Sequence, residues 1–101
     1  MNKKTLKYLE LLKTNEEVLL NYLRARFPVF HNSNFFLRDL QYGIRSFLEK
    51  KDITVTYEQA DILAKEVAKQ LESKQIFRKI NDSSWTVFYP QFATTEPGDP
   101  L

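Results

Sequence analysis

The chain alternates short apolar series with polar breaks, and the spacing of each series predicts an element. Leu6, Leu9 and Leu12 recur at helical intervals within Lys3–Lys13. A second series follows: Leu19, Leu20, Leu23 and Phe27. Between them Thr14-Asn15-Glu16-Glu17 has the form of a capping box, with a hydroxyl for backbone N–H groups and Glu three residues on. Two segments bending near Thr14 are favoured. One helix running through is the alternative, because no residue here forbids it. Phe27-Pro28 ends the run, since proline disfavours helical geometry in the residue before it.

Val29–Asn34 reads as a loop, with Asn32, Ser33 and Asn34 all suited to cap a helix. A third helix is expected over Phe35–Lys50, with Leu37, Leu40, Ile44, Phe47 and Leu48 as its stripe. Gly43 inside it costs up to about 1 kcal/mol relative to Ala, which suggests close approach by another helix. Ile53-Thr54-Val55 is β-branched and strand-like. Thr56 and Gln59 form a second capping-box pattern and open a fourth helix, Tyr57–Ser73, on Ala60, Leu63, Ala64, Val67 and Leu71. A hairpin is then expected. Ile76-Phe77-Arg78-Lys79-Ile80 pairs with Trp85-Thr86-Val87-Phe88-Tyr89 around Asn81–Ser84. Ile76, Arg78 and Ile80 share one face, as do Trp85, Val87 and Tyr89. Pro90 stops the pairing, and residues 90–101 are expected to form a flexible tail.

The predicted class is mainly α, a small α+β fold of four helical segments and a C-terminal two-stranded hairpin. Residues 1–89 form one domain, with residues 3–26 as a helical extension. Helix, polar turn, apolar-and-basic strand, short loop and the strand Trp85-Thr86-Val87-Phe88-Tyr89 together resemble a winged-helix domain over about Phe35–Tyr89. The resemblance is one of element order, not of signature residues. Three features depart from that pattern: Lys51–Thr56 is long, Ser73-Lys74-Gln75 lacks glycine, and the Asn81–Ser84 loop is short. The resemblance implies that Tyr57–Ser73 lies in the major groove of duplex DNA, with Gln59 reading a base edge. Lys65, Lys69, Lys74, Arg78 and Lys79 would then contact phosphate.

Composition narrows the function classes. An apolar share of 43% with 14% aromatic residues argues against wholesale disorder. The absence of cysteine removes disulfides and thiolate chemistry. No apolar run approaches the roughly 20 residues needed to cross a bilayer, and the N-terminus lacks a signal-peptide core. A soluble, unprocessed, cytoplasmic protein with no membrane partner is expected. His31 is the sole histidine and reads as a packing or capping residue. The two glycines, Gly43 and Gly98, form no phosphate loop. Glu16-Glu17 and Glu58 with Asp61 sit where helix starts favour acids. No enzyme, metal site or cofactor is expected.

Charge complicates the DNA reading. Residues 1–51 hold ten Lys and Arg against five Asp and Glu, whereas residues 52–101 hold five against eight. Lys3, Lys4, Lys7 and Lys13 form one basic group and Arg24, Arg26, Arg38 and Arg45 another. Arg38 and Arg45 are seven apart and share a helical face. That face suits phosphate or an acidic protein, or is ordinary solvated charge. Leu6, Leu9, Leu12, Leu19, Leu20 and Leu23 offer either core or a partner interface, including a homodimer through the N-terminal helices. Tyr42, Tyr57 and Phe88 are candidate interface aromatics. Two functions follow as expectations: a DNA-binding or transcription-associated protein, or a protein-interaction module or adaptor without nucleic acid contact.

Overall fold

The structure, a computed structural model, describes residues 1–27 and 29–90. The expected tail beyond Pro90 lies outside the described residues. The first helix, α1 (Lys3–Thr14), starts where the Asn2 side chain accepts the Thr5 N–H at 2.8 Å. It ends at Asn15, whose backbone N–H and side-chain amide both donate to the Leu11 carbonyl. That double bond to one carbonyl closes α1, and α2 (Glu16–Arg26) begins immediately. There are thus two helices. The capping box expected from Thr14 and Glu17 does not form: Thr14 ends α1, and Asn15 caps α2 without a side-chain hydrogen bond because its amide is turned back on α1.

Residues expected to start the third helix instead form a strand, β1 (Asn34–Phe36). Helix α3 follows directly as Leu37–Glu49, and the Leu37 N–H donates to the Ser83 carbonyl rather than to a local cap. Asn32, Ser33 and Asn34 therefore cap nothing. Asn32 adopts a left-handed φ of 68°, which Asn tolerates, and its N–H donates to the Val87 carbonyl, while the Val87 N–H donates to the Ser33 carbonyl. Ile53–Val55 forms no strand. Val55 is buried and Ile53 packs against the core, but no strand edge is offered to them.

Helix α4 (Tyr57–Ser73) carries the complete capping box: the Gln59 N–H donates to Thr56 Oγ1 and the Thr56 N–H to Gln59 Oε1, each at 3.0 Å. Both α3 and α4 end without glycine. Asp52 and Gln75 occupy the left-handed position (φ 62° in each), and the next N–H, from Ile53 or Ile76, reaches back to Leu48 or Leu71. Those are Schellman closures built on non-glycine residues. The strands β2 (Phe77–Asn81) and β3 (Ser84–Val87) form the hairpin, and β1 pairs antiparallel with the other edge of β3, giving the order β1-β3-β2.

Phe35 lies opposite Trp85 and Phe77 opposite Val87, so these four line the inner face. The inner residue of β2 is thus Phe77, not Ile76 or Ile80. Ile80 alternates onto the outer face with Arg78 and is exposed, and the register shifts between Lys79 and Asn81. Trp85 Nε1 donates to Glu72 Oε2 at 2.7 Å, which ties the sheet to α4. Gly43 is where α2 crosses α3. A Cβ there would fall inside contact distance of Leu23 Cδ2 and lie 3.3 Å from Phe27 Cε2. The α1 and α2 leucines share one hydrophobic cluster with α3, α4 and the sheet. The described residues thus form a mainly α, α+β arrangement of four helices and a three-stranded antiparallel sheet, compatible with a winged-helix-like shape.

Candidate functional site

Most of the leucines expected at a partner interface lie in the core. Leu9, Leu12, Leu19, Leu20 and Leu23 are buried in the chain's own core, and only Leu6 of the six is exposed. Two helices packed against α3 and α4 give those five side chains intramolecular partners.

The expected DNA residues are scattered and mostly engaged. Gln59 spends its carbonyl on the cap of α4, and its amide points to Thr5 Oγ1 at 3.4 Å. Lys65 pairs with Asp61 at 3.1 Å and Lys69 with Glu66 at 3.2 Å. Lys74 reaches across to Glu16 at 2.9 Å, where Gln70 also donates, joining the end of α4 to the start of α2. On β2, Lys79 pairs with Asp82 in the turn at 3.3 Å, and the Arg78 guanidinium lies 3.8 Å from the Phe88 ring centre. Helix α4 as a whole carries four carboxylates against two lysines. Exposed ion pairs of this kind contribute little to stability. Their effect here is on the surface field, because each lysine's charge is offset within its own neighbourhood.

Arg38 and Arg45 are different. They do share one face of α3, with Tyr42 between them, and this face continues onto neighbouring elements. A depression of about 810 Å³ is lined by Arg26 and Phe27 at the end of α2, Phe36 of β1, and Arg38 and Tyr42 of α3. A smaller one of about 170 Å³ is lined by Arg38, Tyr42, Arg45 and Tyr57. The two share Arg38 and Tyr42. Tyr57 is 77% exposed, Tyr42 64% and Phe36 50%, which is unusual for three large aromatics on one side of a small protein.

The Arg45 guanidinium stacks 4.2 Å from the Tyr57 ring centre, and its Nε is buried with no hydrogen-bond acceptor. Gln41 is held at the edge of this site by Asp61 Oδ1 at 2.6 Å. Asp39 is the carboxylate lining the larger depression. None of Arg26, Arg38 and Arg45 is in an ion pair among the described residues. The face therefore combines three arginines outside any ion pair, one lining carboxylate and aromatic surface. The seven-residue spacing of Arg38 and Arg45 pointed to it. Arg26, grouped with them in the sequence, joins from the end of α2, whereas Phe36 was hidden by its assignment to a helix.

His31 belongs elsewhere, on the loop before β1. Its Nδ1 accepts the Tyr89 N–H at 3.1 Å and its ring meets Phe88 edge-on. A third depression, about 510 Å³ and largely apolar, lies between α1 and the α3–α4 connection, beside Tyr8, Leu11 and Ile53. No described helix is long and apolar enough to cross a membrane. Comparison of the chain with protein-family models, with curated proteins and with solved structures finds no match.

Proposed function

We propose that this chain is a small, non-catalytic, winged-helix-like protein-interaction module, not a reader of DNA sequence. The carrying observation is the chemistry of α4, the helix that in a winged-helix protein enters the major groove. Its one natural base reader, Gln59, is committed to a cap, and its two lysines face their own acids. Glu58, which only accepts, stands in the first turn, where a groove-entering helix needs donors. The turn between β2 and β3 is short, and its nearest lysine is paired with Asp82. A phosphate backbone approaching this side meets carboxylates at the start of the helix, which opposes the counterion release that drives DNA affinity.

Binding of a labelled mixed-sequence duplex tests the reading by fluorescence anisotropy at about 50 mM salt, where phosphate contacts are strongest. No saturable binding is expected. Saturable binding whose salt slope falls in Arg78→Glu or Lys79→Glu would establish a DNA-binding protein instead. In cells that make the protein, a photo-crosslinking residue at Tyr42 is expected to capture a polypeptide. That partner, purified, should bind the chain in calorimetry.

A further inference from the structure

Resting on the protein-interaction reading, we infer that the docking site is the arginine–aromatic face of α3. Its ligand is an acidic, aromatic-bearing segment of another protein, with carboxylates taken by Arg38 and Arg45. Charge complementarity is the first ground. Arg26, Arg38 and Arg45 converge on two adjoining depressions and make no ion pair among the described residues, whereas Lys65, Lys69, Lys74 and Lys79 are all paired.

The second ground is the Arg45 Nε, which is buried without an acceptor. Leaving such a group unsatisfied is costly, and the edge formed by Nε and one terminal nitrogen is the one that grips a carboxylate with two parallel bonds. An acid entering beside Tyr57 supplies the missing acceptor. Tyr57, highly exposed at the first turn of α4, is the wall that can move to admit it.

The third ground is the aromatic surface. Phe36, Tyr42 and Tyr57 alternate with the arginines, and Arg and Tyr are the residues that dominate binding at protein interfaces. The same alternation disfavours a nucleic acid strand. Its regularly repeated charges, one per about 3.4 Å of duplex axis on each strand, would meet Asp39 and, beside Gln41, Asp61 as well as the arginines. A peptide can place its acids apart. Seven residues of α3 separate Arg38 from Arg45, a rise of about 10 Å. An extended polyproline-II-like segment spans nearly the same length, about 9 Å, between positions i and i+3 on one side.

The test uses the full chain and a short blocked peptide with glutamates at i and i+3 around a phenylalanine. The matching glutamine peptide and a thymidine oligonucleotide serve as comparators. Binding is followed by NMR through the backbone amides and the arginine Nε–H signals. The glutamate peptide is expected to shift the Arg45 Nε–H downfield and to move the Arg38 and Tyr42 signals saturably. Arg38→Gln, at an exposed position, should weaken it about tenfold or more, as loss of a charge-assisted pair does. Lys13→Gln should leave it unchanged. Equal binding of the glutamine peptide, or no shift of the Arg38 and Arg45 signals at millimolar peptide, overturns the inference and leaves the interaction-module reading standing. Tighter binding of the oligonucleotide on these same signals overturns both.

Discussion

Gly43 offers a sharp test of how α2 and α3 are packed. Replacing it with alanine would stabilise an isolated helix by about 0.8–1.0 kcal/mol, because glycine has the larger conformational entropy to lose. In the folded chain the new methyl meets Leu23 Cδ2 inside contact distance and Phe27 Cε2 at 3.3 Å. Neither neighbour has room to yield. Leu23 is 1% exposed and belongs to the core, and the Phe27 ring is held edge-on by Phe35. Overpacking of this kind costs about 1–3 kcal/mol. The two effects oppose, and the steric one is larger. Gly43→Ala should therefore destabilise by about 1 kcal/mol, lowering Tm by roughly 4–8 °C for a domain of this size. The decisive measurement is the same substitution in a Leu23→Ala background, by urea denaturation. Leu23→Ala alone should cost about 2–5 kcal/mol. With the Leu23 obstruction gone and only the Phe27 contact left, Gly43→Ala should now stabilise by up to about 1 kcal/mol. The sign must reverse between backgrounds. A stabilising effect in the native background, or the same sign in both, would refute the packing described for this crossing.

Four further substitutions probe other elements. Thr56→Ala removes one half of the α4 capping box and should cost about 1 kcal/mol, seen as a lower urea midpoint with unchanged slope. Gln75→Gly should raise stability by up to about 1 kcal/mol, because Gln75 is held at a φ of 62° that glycine adopts freely; a loss would mean its side chain contributes more than the backbone strain costs. Leu19→Asp should unfold the protein, since Leu19 is fully buried, whereas Leu6→Asp should leave both the circular dichroism spectrum and the gel-filtration volume unchanged. Dissociation of a dimer by Leu6→Asp would restore a role for that helix in association.

What could be read in the sequence was local. Helix α4 was legible at both ends because Thr56 and Gln59 cap it and its apolar stripe runs unbroken to Leu71. Gly43 was legible as a close approach because glycine inside a helix has a cost that something must explain. The break between α1 and α2 was legible to within a residue, although the residue responsible is Asn15, acting on the helix before it. Strand β1 was not legible. Phe35, Phe36 and Leu37 continue the apolar phase of α3, and only the free edge of β3, fifty positions later, draws the first two into a sheet. The fate of the N-terminal leucines was equally non-local, since a core's capacity is not written in any one segment. The candidate site divides the same way. Arg38 and Arg45 announce a shared face by their spacing and Arg26 was grouped with them, while Phe36 reaches it only through the strand.

The central place of β3 also bears on how the chain reaches its fold. Its pairing with β2 closes across a two-residue turn and needs little else. Its pairing with β1 joins Phe35 to Trp85 and must wait until α3 and α4 have brought those distant segments together. During that interval one edge of Ser84-Trp85-Thr86-Val87 is open, and none of these four residues carries a charge to repel a foreign strand. The outer edge of β2, by contrast, carries Arg78 and Lys79. A second molecule's Asn34–Phe36 fits the open edge as well as the chain's own. Refolding at high concentration should therefore yield strand-exchanged dimers that dilute refolding does not.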